Sequence, residues 1–261
     1  MIYVRKYGKP PYPVAVIHGG PGAPGSMAPV ARELSKYCGV VEHVESETTI
    51  DGQVDELRGT LQKSCDLPAT LIGHSWGAWL SVIFAAKYPG MVKKLILVGS
   101  APFEEKYARG IMETRLGRMS DEEKRQIRIL AETLKNSDNR NRTTLFSMYG
   151  NLMSKSDGYD LLPGGEKDVI EFQEAVFQEV WHEAQELRSS GRLLEMAKQV
   201  RCPVVAIHGD YDPHPADGVE KPLRDTIADF RFILLEKCGH DPWKERAARD
   251  KFYEILIREL S

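Results

Sequence analysis

The sequence predicts an α/β fold: a mostly parallel sheet with helices on both faces, interrupted by an inserted block of helices. Three observations carry this. The first hundred residues alternate short apolar runs with segments of helical spacing. From about residue 103 to 199 the strand signals largely vanish and helix signals dominate. Strand signals then return at residues 203–208 (PVVAIH) and Phe230–Leu235 (FRFILL). Continuous apolar runs set between helices are how strands of a parallel sheet, buried on both faces, read in sequence.

Taken in order, residues 14–18 (VAVIH) are apolar and β-branched and read as the first strand. Residues 1–13 before them are polar and contain prolines. A helix is expected over 27–36, a strand over 39–44, a helix over 53–63 and a strand over 69–73. The helix Trp76–Lys87 stops near Pro89, since proline cannot continue it, and a strand follows over 95–98. In the insertion, Ser120 with Glu123 three residues on makes a capping box before a helix over 126–134. Residues 169–187 are amphipathic, with Val169, Phe172, Val176, Val180 and Leu187 at helical spacing, and a turn-rich segment over 156–165 separates the helices. A helix over 246–260 closes the chain.

Composition excludes several classes. Lys plus Arg total 35 against 38 for Asp plus Glu, a formal charge of −3, without the concentrated basic face of a nucleic-acid binder. No apolar run approaches the ~20 residues that span a bilayer, so no membrane partner is expected. No charged segment leading into an apolar stretch marks a secretion signal. Cys38, Cys65, Cys202 and Cys238 are widely spaced with no C-x-x-C pair, which reads as reduced thiols rather than a disulfide framework or zinc site. A cytoplasmic location is expected.

The chemistry begins at Gly73-His74-Ser75-Trp76-Gly77, a G-x-S-x-G pattern between an apolar strand and a helix. A nucleophile at a strand-to-helix bend needs small neighbours for the turn to close, and the bend lifts its hydroxyl above the sheet. A serine needs a base, and the base an orienting acid, in the chain order Ser, Asp/Glu, His. Asp210 and Asp212 follow the strand at 203–208, and His240 follows the strand Phe230–Leu235. Asp212 and His240 are 28 residues apart, room for a helix and a strand that bring both loops to one end of the sheet. Asp212 is preferred, because the later Asp of a strand-end G-x-x-D turn reaches the histidine; Asp210 reads as a turn former. His18-Gly19-Gly20-Pro21-Gly22 follows the first strand, where the Gly20 N–H can approach an oxyanion, with the Trp76 N–H as second donor. His74 and His208 read as packed, and His18 as an organiser of its loop. His43, His182 and His214 show no ligand-like arrangement, so neither metal nor cofactor is expected.

These motifs resemble the α/β-hydrolase fold superfamily over almost the whole chain. The HGGPG loop, with Trp after the serine, is similar to the proline iminopeptidase branch and its esterase-like relatives. The resemblance implies a catalytic triad of Ser75, Asp212 and His240, oxyanion donors at Gly20 and Trp76, a core of residues 1–102 and 200–261, and a helical cap over 103–199. Two departures stand out. The branch has glycine where this chain has His74, and an Asp-Gln-Arg-Gly segment where this chain has Glu45-Ser46-Glu47-Thr48-Thr49. Dehalogenases and epoxide hydrolases of this fold use an aspartate nucleophile, whereas position 75 is serine.

The leading expectation is a cofactor-independent serine hydrolase of a small carboxylic ester, acting through an acyl-enzyme on Ser75. The alternative is an aminopeptidase of the proline iminopeptidase type on a short peptide-like substrate. A third is a non-catalytic ligand-binding protein of the same fold.

Overall fold

Among the described residues, seven strands form one sheet in the order β1-β3-β2-β4-β5-β6-β7. The computed structural model describes residues 3–136, 142–163 and 173–261. The strands are β1 (Tyr3–Tyr7), β2 (Val14–Ile17), β3 (Val40–Val44), β4 (Ala69–His74), β5 (Val92–Val98), β6 (Val204–Gly209) and β7 (Phe230–Leu235). Every neighbouring pair is parallel except β1 with β3. The first connections are α1 (Ala28–Leu34), α2 (Ile50–Ser64) and α3 (Trp76–Lys87). Between β5 and β6 come α4 (Glu105–Ala108), α5 (Ile111–Gly117), α6 (Asp121–Asn136), α7 (Arg142–Asp157), α8 (Glu174–Ser189) and α9 (Arg192–Ala197). The chain ends with α10 (Asp217–Arg224) and α11 (Arg249–Leu260).

Period-two alternation divides the strand residues between two cores. Ala15, Ile17, Val41, Leu71, Leu95 and Leu97 pack toward α2, α3, α8 and α9. Val14, Val16, Val40, Ile72, Ile96 and Val98 pack toward α1 and α11. Trp76 to Ala85 are all buried, because α3 lies between the sheet and other helices. That explains why this helix has no polar face in the sequence.

The structure adds one strand that the sequence reading lacked. β1 lies in the polar segment before Val14 and pairs antiparallel with β3 at the sheet edge. Its polar residues meet Glu42, which is fully buried: Tyr7 Oη donates to Glu42 at 2.7 Å, and Arg5 lies 3.7 Å from the same carboxylate. Charged side chains suit an edge strand, but they erase the apolar run by which a buried strand is recognised.

In the helical block the capping box forms as expected. Ser120 N–H donates to Glu123 at 2.8 Å, and Glu123 N–H donates to Ser120 Oγ at 3.3 Å. α7 continues through Ser156 and Asp157, so the break begins at Gly158; the Ser156 hydroxyl folds back onto the Met153 carbonyl at 2.7 Å. Val176, Val180, Ala184 and Leu187 of α8 join the core around α3, as their spacing predicts. Gly165, Val169, Glu171 and Phe172 lie outside the described residues. No helix among the described residues is long and apolar enough to cross a membrane, and the four cysteines are free thiols.

Candidate active site

Parallel register brings the ends of five strands to one edge of the sheet. Ile17 of β2 pairs with Gly73 of β4, and His74 of β4 with Val98 of β5. Val98 pairs in turn with Ile207 of β6, and Gly209 of β6 with Leu235 of β7. The loops carrying His18, Ser75, Gly99, Asp212 and His240 therefore all leave the same edge, where open α/β sheets bind ligands.

Ser75 sits between β4 and α3 with φ 51° and ψ −111°. A side chain with positive φ outside the favoured regions is strained and persists only where its surroundings fix it. Here Ser75 N–H donates to Val98 O at 3.0 Å. A methyl group at Gly73 would overlap the Gly77 carbonyl, and one at Gly77 would overlap the carbonyls of Ile17 and His18. Both glycines of the motif are thus set by close backbone approach. Ser75 keeps partial exposure while its neighbours on both sides are buried.

Asp212 and His240 meet as the sequence predicts. His240 Nδ1–H donates to Asp212 Oδ2 at 2.7 Å, and both residues are buried. Burial disfavours the imidazolium, but the Asp212 carboxylate overrides it and pushes the His240 pKa up to about 9. Burial would raise the Asp212 pKa, yet His240, His214 and His208 hold it well below the usual carboxylate range. Asp210 is employed elsewhere: its carboxylate accepts from Cys238 N–H at 3.1 Å, closing the turn after β7. His240 N–H donates to Asp157 O at 3.0 Å. His74 Nε2 lies 3.2 Å from the His240 carbonyl, its ring edge-on to Trp243, so it supports the loop from below.

The glycine-rich loop lies against the elbow. A methyl group at Gly19 would stand 3.0 Å from Ser75 Cβ. Gly20 has φ +63° and its carbonyl accepts from Ala23 N–H at 2.9 Å, a tight turn. The loop is tied to α8, because Gln173 N–H donates to Gly22 O at 2.8 Å. Beneath it His18 is wholly buried, and burial lowers its pKa to about 4. Its Nε2 lies 3.9 Å from the buried Glu45 carboxyl, which burial pushes well above the usual range. Trp76 is anchored through its indole N–H to Gln53 at 3.0 Å. A separate depression of about 330 Å³, lined by Arg118, Leu152 and Tyr211 among others, includes none of Ser75, Asp212 or His240.

A match to the alpha/beta hydrolase family covers residues 14–250. The chain belongs to that family. Lipase 1 of Psychrobacter immobilis is 25% identical over 261 positions, covering 94% of this chain and 76% of that protein. The crystal structure of VinJ superposes with a TM-score of 0.71 at 19% identity, over 99% of this chain and 94% of that one. Proline iminopeptidase of Mycobacterium smegmatis superposes with a TM-score of 0.64 at 18% identity, over 99% and 94%. Family membership and the lipase relative support hydrolase activity.

In this alpha/beta hydrolase three features escaped the sequence reading. Gly99, at the end of β5 with φ +50°, has no room for a methyl group between the His240 carbonyl and ring. Glu245, fully buried, accepts from the N–H groups of Tyr159, Asp160 and Gly239 at 2.8, 2.8 and 2.9 Å, joining the turn after α7 to the His240 loop. His214 is a correction: Asp212, His214 and His240 form the one group among the described residues whose ligand atoms could hold a metal ion, all within 4.8 Å. Within this group the two oxygens of Asp212 accept from His214 Nδ1–H and His240 Nδ1–H at 2.7 Å each, so the group reads as a polar network.

Proposed function

We propose that the chain is a serine hydrolase cleaving a small carboxylic ester through an acyl-enzyme on Ser75. The observation that carries this reading is the 2.7 Å bond from His240 to Asp212, on loops that leave the same end of the sheet as Ser75 in its strained elbow geometry. With Nδ1–H bonded to Asp212, the neutral form of His240, populated as pH rises toward its pKa of about 9, offers Nε2 to take the Ser75 proton as Oγ attacks the ester carbonyl. The Gly20 and Trp76 N–H groups receive the oxyanion, the latter within the first turn of α3, where N–H groups lack intrahelical acceptors. Collapse of the tetrahedral adduct breaks the ester C–O bond, and His240 gives its proton to the departing alkoxide. Water, deprotonated by His240, then attacks the acyl-enzyme and releases the acid and free Ser75. Residues 103–199 form a cap over a core of 1–102 and 200–261, and the process is cytoplasmic.

An aminopeptidase would need free carboxylates near the site to bind the substrate ammonium. Three acids of α8 are otherwise placed. Glu174 pairs with Arg142 at 2.7 Å, Glu183 accepts from Ile50 N–H at 2.8 Å, and Glu179 faces solvent. Short-chain aryl esters are therefore expected to turn over far faster than a prolyl arylamide. Equal or greater kcat/KM on the arylamide, abolished by acetylating its amine, would replace this reading with the aminopeptidase.

A further inference from the structure

The carboxylate proposed to orient His240 is held by a second histidine. His214 lies two residues beyond Asp212, buried, and bonds the carboxylate oxygen that His240 does not use. Its Nδ1–H donates to Asp212 Oδ1 at 2.7 Å and its backbone N–H donates to the same oxygen at 2.9 Å. The residue is fixed in turn from β6, where His208 Nε2–H donates to the His214 carbonyl at 2.7 Å. Its ring lies 4.5 Å from the His240 ring. Each carboxylate oxygen thus has one imidazole donor, and rotation of the carboxylate would break both bonds.

We propose that His214 is a positioning residue that clamps one oxygen of Asp212 and so keeps the other aimed at His240 Nδ1. The inference rests on the hydrolase reading of Ser75, Asp212 and His240. The charged and titratable groups facing this cluster are His208 from β6, His74 from β4, and Arg115 and Asp157 from the helical block; Asp241 lies on the His240 loop itself. His214 stays neutral in the acidic range: burial lowers its pKa to about 4, against the pull of Asp212. A neutral donor on Oδ1 draws charge from the carboxylate. Removing it leaves more charge for His240 and raises the pH at which His240 loses its proton.

The test compares His214→Ala with His214→Asn, whose side-chain amide can place a donor near the position of Nδ1, and with His214→Gln, whose donor sits one bond too far. Two readouts are taken on the full chain. The first is the pH profile of kcat and KM on an aryl acetate. The second is the titration of His240 followed through its low-field Nδ1–H proton resonance, which needs no catalysis. His214→Ala is expected to lower kcat about tenfold with KM little changed. It should move the His240 titration and the acid limb upward by about 0.5–1 pH unit, while His214→Asn restores both. If His214→Ala does not fold, the contrast between Asn and Gln carries the same expectation. An unchanged His240 titration in the Ala or Gln variant, or an Asn variant no better than Gln, overturns the clamp. Failure of the underlying reading is seen separately, as turnover that survives Ser75→Ala while the His240 titration still responds to residue 214.

Discussion

Two aspartates two residues apart do different work because of where their carboxylates point. Asp212 takes His240 Nδ1–H, and Asp210 takes the Cys238 N–H. Asp212→Asn presents an amide that can favour the wrong imidazole tautomer and cannot stabilise the imidazolium. Its turnover is expected to fall by about 10⁴, the loss seen for this change in the best-studied triad. In Asp210→Asn the amide oxygen can still accept from Cys238 N–H, so turnover is expected within about tenfold of the parent. Ester kinetics on the two variants decide it; the reverse order of losses would move the acid to Asp210. The choice was legible because a strand-end turn places its later Asp toward the next loop. His214 was not legible, since only the folded turn shows that both its nitrogen donors meet one oxygen.

At the scale of elements, a buried carboxylate adds to the backbone bonds, such as His240 N–H to Asp157 O, that join the helical block to the His240 loop. Glu245 receives three backbone N–H groups, two of them from the turn after α7. Glu245→Ala strands these donors, at a cost of about 2–3 kcal/mol in all. For a chain of this size that lowers Tm by about 5–10 °C, with activity falling as the loop loosens. Glu245→Gln keeps one acceptor and is expected to fall between; a thermal melt with the Ala variant at the parent Tm would contradict the role. Neither this tie nor β1 was readable in advance. Glu245 meets Tyr159 across 86 positions, and β1 relies on Glu42 of a neighbouring strand instead of an apolar run of its own. The central strands were readable because burial on both faces leaves only apolar side chains, as in β2, and α3 because its start coincides with the G-x-S-x-G bend.

Across the whole molecule, folding buries imidazoles that the unfolded chain would protonate. Burial lowers the pKa of His18 and His214 to about 4 and of His43 and His74 to about 3. Below the unfolded value of about 6.5 the unfolded chain binds more protons at these four positions, so stability falls as pH drops from there toward 4. Glu45, whose pKa is raised, opposes this with one proton held in the fold. His240 acts above neutrality: its pKa of about 9 gives stability that is full below about 6.5 and is lost as pH rises through 9. Urea midpoints are therefore expected to peak near neutral pH and fall steeply between about pH 6.5 and 4; a flat profile there would contradict the burial of neutral imidazoles. The fold that accepts this acid sensitivity also sets Ser75, Asp212 and His240 on loops that follow three strands of one sheet, and one measurement addresses their proposed assembly most directly. The protein is treated with a fluorophosphonate and its peptides are mapped by mass spectrometry. A single adduct on Ser75, absent from a folded Ser75→Ala variant and slowed in Asp212→Asn, is the expected result. An adduct on another residue, or a Ser75→Ala variant labelled as fast as the parent, would contradict it.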